Sequence, residues 1–343
     1  MTKLQEVARR AGVSPSTVSR AISRPGLVNP ETRERVQAAV RALDYQPSRV
    51  ARRLRLTHGF SYLVGLVIPD LQNPFFADLA RGVEDVAEQH GYTVLIGNAD
   101  EDVDKEARYL NAMRAEAVDG VILPPSCETR SAATDLARAG LPLVCVDRRL
   151  DKARVDTVVV DNVRGAAAAT RHLIALGHRR IGYLEGKRGI STSRERLLGY
   201  RTALAEHGIE SDPALVLTGD SRPESGRRLA AELLAAPDRP TALLVGNGMM
   251  TMGALEAIHA RGLRIPEDLA VIGYDDMPWT LALTPALTVV RQPGYELGSR
   301  AMDLLRQRIR EPDRSITTEM LQPELVIRGS CGASGATERR STE

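Results

Sequence analysis

Hydrophobic and polar positions alternate in two different ways along the chain, and the change comes near residue 60. Before it, apolar residues recur every three or four positions, which is the spacing of one helix face. After it, short continuous apolar runs alternate with amphipathic segments of helix length. Because continuous apolar strands separated by helices are typical of parallel sheets covered on both faces, the pattern predicts an all-α head followed by an α/β core.

The head carries the start and stop signals of three short helices. The first helix ends at Gly12, since glycine accepts the left-handed conformation of a helix C-cap. The second begins at Ser14-Pro15 and the third at Asn29-Pro30, each a capping residue followed by a proline at the first helical position. Two helices joined by a tight turn with glycine form a helix-turn-helix, whose second helix can enter the major groove of DNA.

Eleven strands are predicted in the core, which is too many for one typical sheet. We therefore expect two lobes, each a doubly wound parallel sheet with helices on both faces. The predicted strands are Leu63–Pro69, Thr93–Gly97, Gly120–Leu123, Leu143–Val146, Thr157–Val160, Ile181–Leu184, Leu215–Leu217, Ala242–Val245, Leu269–Ile272, Leu287–Val290 and Glu324–Ile327.

Charge is distributed unevenly between the head and the core. Residues 1–57 contain twelve Lys or Arg and four Asp or Glu, a net charge of +8, whereas the whole chain carries only +2, which leaves −6 for the remainder. A basic head on an acidic body is typical of a nucleic-acid-binding module attached to another domain. The helical hydroxyls near Ser14 suit phosphate contacts, and Arg20 can form a bidentate pair with guanine.

The cysteines, the hydrophobic runs and the N-terminus indicate where in the cell the protein is expected. Three cysteines, Cys127, Cys145 and Cys331, lie too far apart for a zinc motif and are odd in number, so neither a disulfide framework nor a metal site is predicted. No run of about 18 apolar residues could span a membrane. The first residues lack the apolar stretch of a signal peptide, so we expect a cytoplasmic protein.

Polar residues follow several of the predicted strands. Ligands of such sheets bind outside the carboxyl ends of the strands. The residues at these ends are Asp70, Asp147-Arg148, Asp220, Asn247 and Asp275-Asp276, and the aromatic pair Phe75-Phe76 follows the first of them. Carboxylates accept hydrogen bonds from hydroxyl groups and an apolar ring face can stack, so the set suits a polyhydroxylated ligand. Each Asp or Asn could instead cap the helix that follows it.

Four motifs, in order, resemble the head of the lactose-repressor (LacI/GalR) family. They are Leu4–Ser14, Thr17–Arg20, Thr32–Val36 and Tyr45–Ser48. The resemblance extends to about Arg328. It implies a sequence-specific transcriptional repressor whose periplasmic-binding-protein-like core holds a small effector between its lobes.

The resemblance also implies which residues bind DNA. By position, Pro15, Ser16 and Arg20 would face the bases. A basic segment after the head resembles the family's hinge helix, where Leu54 falls on the leucine that wedges into the minor groove and kinks the duplex. The DNA-binding residues implied are Ser14, Pro15, Ser16, Thr17, Ser19, Arg20, Asn29, Tyr45, Arg52, Leu54 and Arg55.

The effector-binding residues are implied in the same way. They are Phe75, Phe76, Asp147, Arg148, Thr192, Arg196, Ser221, Asn247 and Asp275. Ser221 stands where relatives often carry an aromatic residue, which opens or polarises that wall. Ile190 is apolar where purine-sensing members use a charged residue, so we expect a sugar in preference to a nucleoside or purine. Whether the effector releases the protein from DNA or promotes binding stays open, because both responses use the same cleft.

The resemblance sets the expected domain boundaries and assembly. We expect a homodimer on a pseudo-palindromic operator. The boundaries are a helix-turn-helix domain over 1–46, a hinge helix over 47–58 and a core over 59–328. The remaining residues, 329–343, are small and polar, so we expect a disordered tail there. Within the core, lobe 1 is expected at about 59–161 and 291–320, and lobe 2 at about 162–290 and 321–328.

Enzymes and transport proteins are the alternatives. The sequence contains no GxGxxG after the first strand, no Walker loop, no GxSxG and no His-Glu-x-x-His, and its six histidines are scattered. We therefore predict neither an enzyme nor a cofactor nor a metal. A sugar-modifying enzyme or a transport-type sugar-binding protein could share the two-lobed core. The lack of a signal peptide and the basic head argue against the transport-type protein. A gel shift with specific DNA distinguishes both alternatives from a repressor.

Overall fold

A computed structural model describes residues 4–23, 25–45, 60–151 and 153–333. The chain folds as two compact units that divide at Leu63. The predicted hinge helix, with Arg52, Leu54 and Arg55, lies outside the described residues, as does the tail from residue 334. None of the described helices has the length and apolar character needed to cross a bilayer.

The first unit is a small helical domain. Its helices are α1 (Leu4–Ala11), α2 (Pro15–Ser23) and α3 (Pro30–Ala42), with a 3-10 turn over Pro25–Leu27. Val7, Val18 and Val36, one from each helix, are almost wholly buried in a shared core. The capping signals operate as predicted, since the Thr17 N–H donates to Ser14 Oγ over 3.1 Å and the Glu31 N–H donates to Asn29 Oδ1 over 2.9 Å.

Lobe 1 of the second unit is built on a six-stranded sheet. The strand order is β11-β5-β4-β3-β1-β2, and the pairs from β11 through to β1 are parallel. Its elements are β1 (Leu63–Ile68), α4 (Pro74–Gln89), β2 (Thr93–Asn98), α5 (Val103–Ala115), β3 (Gly120–Leu123), α6 (Ala133–Arg138), β4 (Leu143–Val146), β5 (Asp156–Val160), α11 (Gly294–Arg310) and β11 (Thr318–Leu321).

Lobe 2 repeats this architecture. Its strand order is β12-β10-β9-β8-β6-β7, in which β12 is antiparallel to β10 and the other pairs are parallel. Its elements are α7 (Asn162–Ala175), β6 (Ile181–Glu185), α8 (Ser191–Glu206), β7 (Val216–Thr218), α9 (Pro223–Ala235), β8 (Ala242–Val245), α10 (Gly248–Ala260), β9 (Ala270–Tyr274), β10 (Thr288–Arg291) and β12 (Glu324–Val326), with 3-10 turns at Pro213–Leu215 and Pro278–Leu281.

The chain passes between the lobes three times. It leaves the lobe 1 sheet after β5 at Val160, returns after β10 at Arg291, and crosses again between β11 and β12. The return requires α11 to dock on α4, where two glycines allow close contact. A Cβ on Gly82 would lie 2.1 Å from Tyr295 O, and one on Gly298 would lie 2.0 Å from Leu79 O.

One strand was not predicted from the sequence. Thr318–Leu321 forms β11, which pairs in parallel with β5 at the edge of the lobe 1 sheet, where only a chain crossing near Leu321 was expected. Its residues alternate between exposed and half-buried. An edge strand of this kind lacks the continuous apolar run that marked the buried strands, so pattern alone does not reveal it.

The predicted start of a disordered tail at Gly329 is wrong. Gly329–Cys331 forms a 3-10 turn in which Ser330 and Cys331 are buried against lobe 2. Ser330 Oγ accepts a hydrogen bond from the Thr288 N–H over 2.8 Å and donates to Val271 O over 2.7 Å. Small polar residues looked like a tail in the sequence, but here they satisfy buried backbone groups at the end of the sheet.

Candidate functional site

A polar cleft lies between the two lobes. Side chains from both lobes line it. All nine residues that the sequence implied for effector binding are among them, namely Phe75, Phe76, Asp147, Arg148, Thr192, Arg196, Ser221, Asn247 and Asp275. The fold therefore brings together residues that are spread over 200 positions of the sequence.

Two aspartates reach the cleft from the ends of buried strands. Asp147 follows β4 and Asp275 follows β9, and the N–H of each continues the strand ladder by donating to the neighbouring strand, at Val158 O and Val290 O. Both residues then take a left-handed backbone with φ of 64°. Aspartate adopts this conformation more readily than most residues, so the turn that ends each strand favours the residue type found there.

Arg196 on α8 is buried and held by three acceptors. Its Nε donates to Asn162 Oδ1 over 2.8 Å, its Nη1 to Gly246 O over 2.9 Å, and its Nη2 to Gln292 Oε1 over 2.9 Å. Gln292 in turn donates from Nε2 to Asp275 Oδ1 over 2.6 Å. Asn162 and Gln292 lie at two of the chain crossings, so this network fixes the guanidinium beside the strands that join the lobes.

Arg148 forms a matching network in lobe 1. Its Nη1 and Nη2 donate to the two carboxylate oxygens of Glu101 over 3.0 Å and 2.5 Å. Its Nε is buried, lies 3.5 Å from Asp147 Oδ2, and has no hydrogen-bond acceptor among the described residues. A buried donor without a partner is costly, so this atom is suited to an acceptor on a bound ligand.

The aromatic wall is set by a helix cap. Asn73 Oδ1 accepts from the Phe75 N–H over 3.0 Å and so starts α4, which places Phe75 and Phe76 beside the cleft. The two rings meet edge to face with centroids 5.1 Å apart, and the guanidinium of Arg148 lies 5.8 Å from the Phe76 centroid. Two adjacent ring faces offer an apolar surface within a cleft of charged groups.

Burial changes the acidity of both aspartates. Desolvation raises the pKa of Asp147 to about 6, although Arg148 and Arg196 act in the opposite direction. Desolvation also raises the pKa of Asp275, again against Arg196 and a hydrogen bond from Gln292. Both carboxyl groups therefore have a higher affinity for protons than exposed aspartates, and a ligand that donates hydrogen bonds would stabilise their ionised forms.

Several lining residues were not on the predicted effector list. They are Asp70, Asn73, Asp100, Glu101, Ile190, Ser193, Arg222, Gly246 and Gln292. The rule that ligands gather at strand ends could have found three of them, because Asp100 and Glu101 follow β2 and Gln292 follows β10. Asn247 combines the two roles left open from sequence, since it lines the cleft and its Oδ1 also accepts from the Met250 N–H over 3.0 Å as the cap of α10.

The predicted DNA-binding residues of the head form a hydroxyl-rich start to α2. Ser14 Oγ lies 2.7 Å from Ser16 Oγ and 2.9 Å from Thr17 Oγ1, and Ser14, Pro15 and Ser16 are exposed. Arg20 is exposed one helical turn beyond Ser16. Asn29 is exposed at the start of α3. Thr17, Ser19 and Tyr45 are half-buried, and Tyr45 packs on the core of the head.

Comparison with known proteins identifies the family. The profile of "Bacterial regulatory proteins, lacI family" matches residues 3–48, and that of "Periplasmic binding proteins and sugar binding domain of LacI family" matches residues 61–325. The chain belongs to the LacI family. This family consists of regulatory proteins, so the predictions of a helix-turn-helix head, a two-lobed core and a regulator that is not an enzyme are confirmed.

Similar LacI-family members align with most of the chain. The ribose operon repressor of Halalkalibacterium halodurans is 36% identical over 328 residues, which is 96% of each chain. The Lac repressor dimer bound to operator and the anti-inducer ONPF is 29% identical, with a TM-score of 0.83 over 96% of this chain and 99% of that one. A LacI-family regulator from Enterococcus faecium with bound ribose is 29% identical, with a TM-score of 0.69 over 78% and 98%.

Proposed function

We propose that this LacI-family chain is a homodimeric repressor of carbohydrate-utilisation genes, whose affinity for operator DNA changes when a small sugar binds between its lobes. A repressor of bacterial operators acts in the cytoplasm, which is also the compartment expected from the sequence. The observation that carries the sugar assignment is the composition of the cleft. Buried carboxylates, a buried arginine N–H that has no hydrogen-bond acceptor among the described residues, and a pair of aromatic rings line the same cleft.

The chemistry of this cleft suits hydroxyl groups. Asp147 and Asp275 accept hydrogen bonds from hydroxyls, Arg148 Nε can donate to a hydroxyl or ring oxygen, and Phe75 and Phe76 can stack on the apolar face of a sugar ring. The names of the relatives do not agree on one effector class, because one is a ribose operon repressor and another was solved with ribose, whereas several others are named PurR or CytR. A nucleoside or purine is the second candidate, since it would also use aspartate acceptors.

A thermal-shift panel tests the effector class. D-ribose, D-xylose, D-glucose, D-galactose, adenosine and hypoxanthine would each be added to the purified chain, because a ligand bound only by the folded state raises its melting temperature. We expect at least one sugar to stabilise the protein. Asp275→Asn should abolish that shift, whereas Asp104→Asn, an exposed control, should preserve it. If only adenosine or hypoxanthine raises the melting temperature, the effector is a nucleoside or purine and the sugar assignment is wrong.

Operator binding is tested with fragments selected from random DNA. Addition of the active sugar should change operator affinity by about 5- to 150-fold in one direction, the usual range of allosteric coupling. Arg20→Ala should cost about 1–3 kcal/mol of discrimination between operator and random competitor, as expected for a lost base contact. The matched control is Arg228→Ala, an exposed residue of the core. If the chain selects no fragment, the proposed repressor function is wrong.

In this proposal the hinge segment inserts Leu54 into the minor groove, as the sequence predicts. Leu54→Ala should weaken operator binding far more than binding to random DNA, because a wedge between base steps acts only when the hinge is seated in the minor groove. An equal loss on both kinds of DNA would remove Leu54 from the mechanism.

A further inference from the structure

The residues that line the cleft include more carboxylates than cations. The lining cations are Arg148, Arg196 and Arg222, whereas the lining carboxylates are Asp70, Asp100, Glu101, Asp147 and Asp275. Five acids and three cations leave the lining with a formal charge of −2 when all are ionised. The arrangement of these charges matters more than their sum, because two of the three arginines are paired with the neighbouring acids Asp100 and Glu101.

Glu101 lies between cations of both lobes. Its carboxylate accepts two hydrogen bonds from Arg148 of lobe 1, and its Oε2 lies 3.4 Å from Nζ of Lys187, which follows β6 of lobe 2. The same Nζ donates to the main-chain oxygens of Glu101 over 2.5 Å and of Ser126 over 3.3 Å. Burial raises the pKa of Glu101, but Arg148 and Lys187 outweigh it, so the pKa lies below its ordinary value and the group is ionised at neutral pH.

Asp100 engages a third cation. Arg222, which precedes α9 in lobe 2, donates from Nη2 to Asp100 Oδ1 over 3.0 Å and to Asp100 O over 3.2 Å. Asp100 and Glu101 both have a left-handed backbone, with φ of 56° and 57°. Two consecutive residues other than glycine rarely adopt this conformation, so the surrounding contacts have to select it. The main-chain contacts here are those of Lys187 with Glu101 O and of Arg222 with Asp100 O, together with the hydrogen bond from the Glu101 N–H to Pro69 O over 3.0 Å.

We propose that the acidic pair Asp100–Glu101 restricts the cleft to uncharged ligands, by occupying the cations Arg148, Lys187 and Arg222 that would otherwise bind a phosphate or carboxylate. The inference rests on the proposed function, in which a sugar binds this cleft. It adds that the free sugar is the effector and that its phosphate ester is rejected. A phosphate entering the cleft would meet buried carboxylates and cations already paired with them, and such like-charge placement is a common means of excluding a wrong ligand.

The first test is the selectivity of the unaltered chain. Isothermal titration would compare D-ribose, D-xylose, D-glucose and D-galactose with D-ribose 5-phosphate, D-xylose 5-phosphate, D-glucose 6-phosphate and D-galactose 6-phosphate. We expect the sugar that binds to exceed its own phosphate by at least 100-fold in affinity. If the phosphate binds within tenfold of the sugar, this inference is overturned and the proposed function stands. If no sugar binds, the proposed function itself fails.

The second test is a gain of binding. Glu101→Gln keeps the size of the side chain and frees Arg148 and Lys187 from their anion, so the phosphate ester of the bound sugar should gain at least tenfold in affinity. The double variant Glu101→Gln with Lys187→Met should lose that gain. The matched control is Glu128→Gln. The carboxylate of Glu128, in lobe 1, also forms an ion pair with a cation of lobe 2, Arg194, over 2.7 Å. Glu128 does not line the cleft.

A third variant keeps the test decisive if Glu101→Gln does not fold. Asp100→Asn removes the charge that engages the half-exposed Arg222, while asparagine tolerates the left-handed backbone at this position. It should give a smaller gain for the phosphate, of about threefold or more. Variants that bind the free sugar and still reject its phosphate as strongly as the unaltered chain would show that the acidic pair is not the source of selectivity.

Discussion

Asp147 and Asp275 occupy equivalent positions in the two lobes. Each follows a central buried strand, each has φ of 64°, and each lines the same cleft. The two lobes therefore present one buried carboxyl group each to the same cleft. Each carboxyl is also desolvated, which gives the cleft a pH dependence that exposed aspartates would not have.

Effector affinity should fall as the pH is lowered. Desolvation raises the pKa of Asp147 to about 6, and a hydroxyl donor binds the ionised carboxylate, so protonation competes with the ligand. Between about pH 7.5 and about pH 5 the affinity should drop by about tenfold for this group, by linkage. The raised pKa of Asp275 adds to the loss. Isothermal titration with the active sugar at several pH values measures the change.

Unfolding does not explain such a loss. The pKa of Asp147 is higher in the folded chain than its ordinary value, so this group favours the folded state at low pH and loses that contribution as the pH rises through about 6. Asp147→Asn is the control, and its remaining affinity should show a weaker pH dependence. An unaltered pH profile in this variant would assign the titration to another group.

Gln292 should be as important for effector binding as the charged residues it joins. It accepts from Arg196 and donates to Asp275, both buried. Gln292→Ala leaves two buried charged groups short of a partner, which should cost about 1–3 kcal/mol of effector affinity. Titration of the active sugar measures the loss, and Gln89→Ala, an exposed glutamine of α4, is the control. Equal affinities for the two variants would contradict this role.

Asp156 is expected to stabilise lobe 1. Its fully buried carboxylate accepts from Arg308 Nε over 2.8 Å and Nη2 over 3.1 Å, and from the Thr317 N–H over 2.8 Å, which ties β5 to α11 and to the approach to β11. Asp156→Ala should lower the free energy of unfolding by about 3–5 kcal/mol, because it leaves a cation without its buried partner.

Urea unfolding followed by circular dichroism measures this effect. The control is Glu232→Ala, which removes the acid of an exposed ion pair with Arg228 in lobe 2. That variant should unfold at nearly the same urea concentration as the unaltered chain, because exposed pairs contribute little. Similar losses for both variants would mean that burial of the Asp156 pair is not what stabilises the lobe.

Asn29 is predicted to have two roles that substitution can separate. Asn29→Ala removes the cap of α3 and should destabilise the head by about 0.5–2 kcal/mol. Asn29→Asp keeps an oxygen acceptor for the Glu31 N–H but places a negative charge where a phosphate is expected. Hydrogen exchange in α3 should increase only in the alanine variant, whereas operator affinity should fall in both. Undiminished operator binding by Asn29→Asp would leave Asn29 with the capping role alone.

Much of the site could be predicted because the relevant signals are local. Asp147 and Asp275 directly follow apolar runs, and a parallel sheet gathers the carboxyl ends of its strands at one edge. The caps of α2 and α3 are likewise set by neighbouring residues, Ser14 with Thr17 and Asn29 with Glu31. Short-range hydrogen bonds and side-chain periodicity need no knowledge of the rest of the fold.

The sequence alone thus determined the two kinds of domain, the family and the polar residues at the strand ends. Only the tertiary structure decided that Glu101 meets Arg148, 47 residues away, and Lys187, 86 residues away, and that Ser330 and Cys331 belong to the lobe 2 core. The edge strand β11 was likewise revealed only by the tertiary structure, because its pairing with β5 defines it. Such contacts depend on which distant segments the packed sheets bring together, and no local pattern of residues encodes that placement.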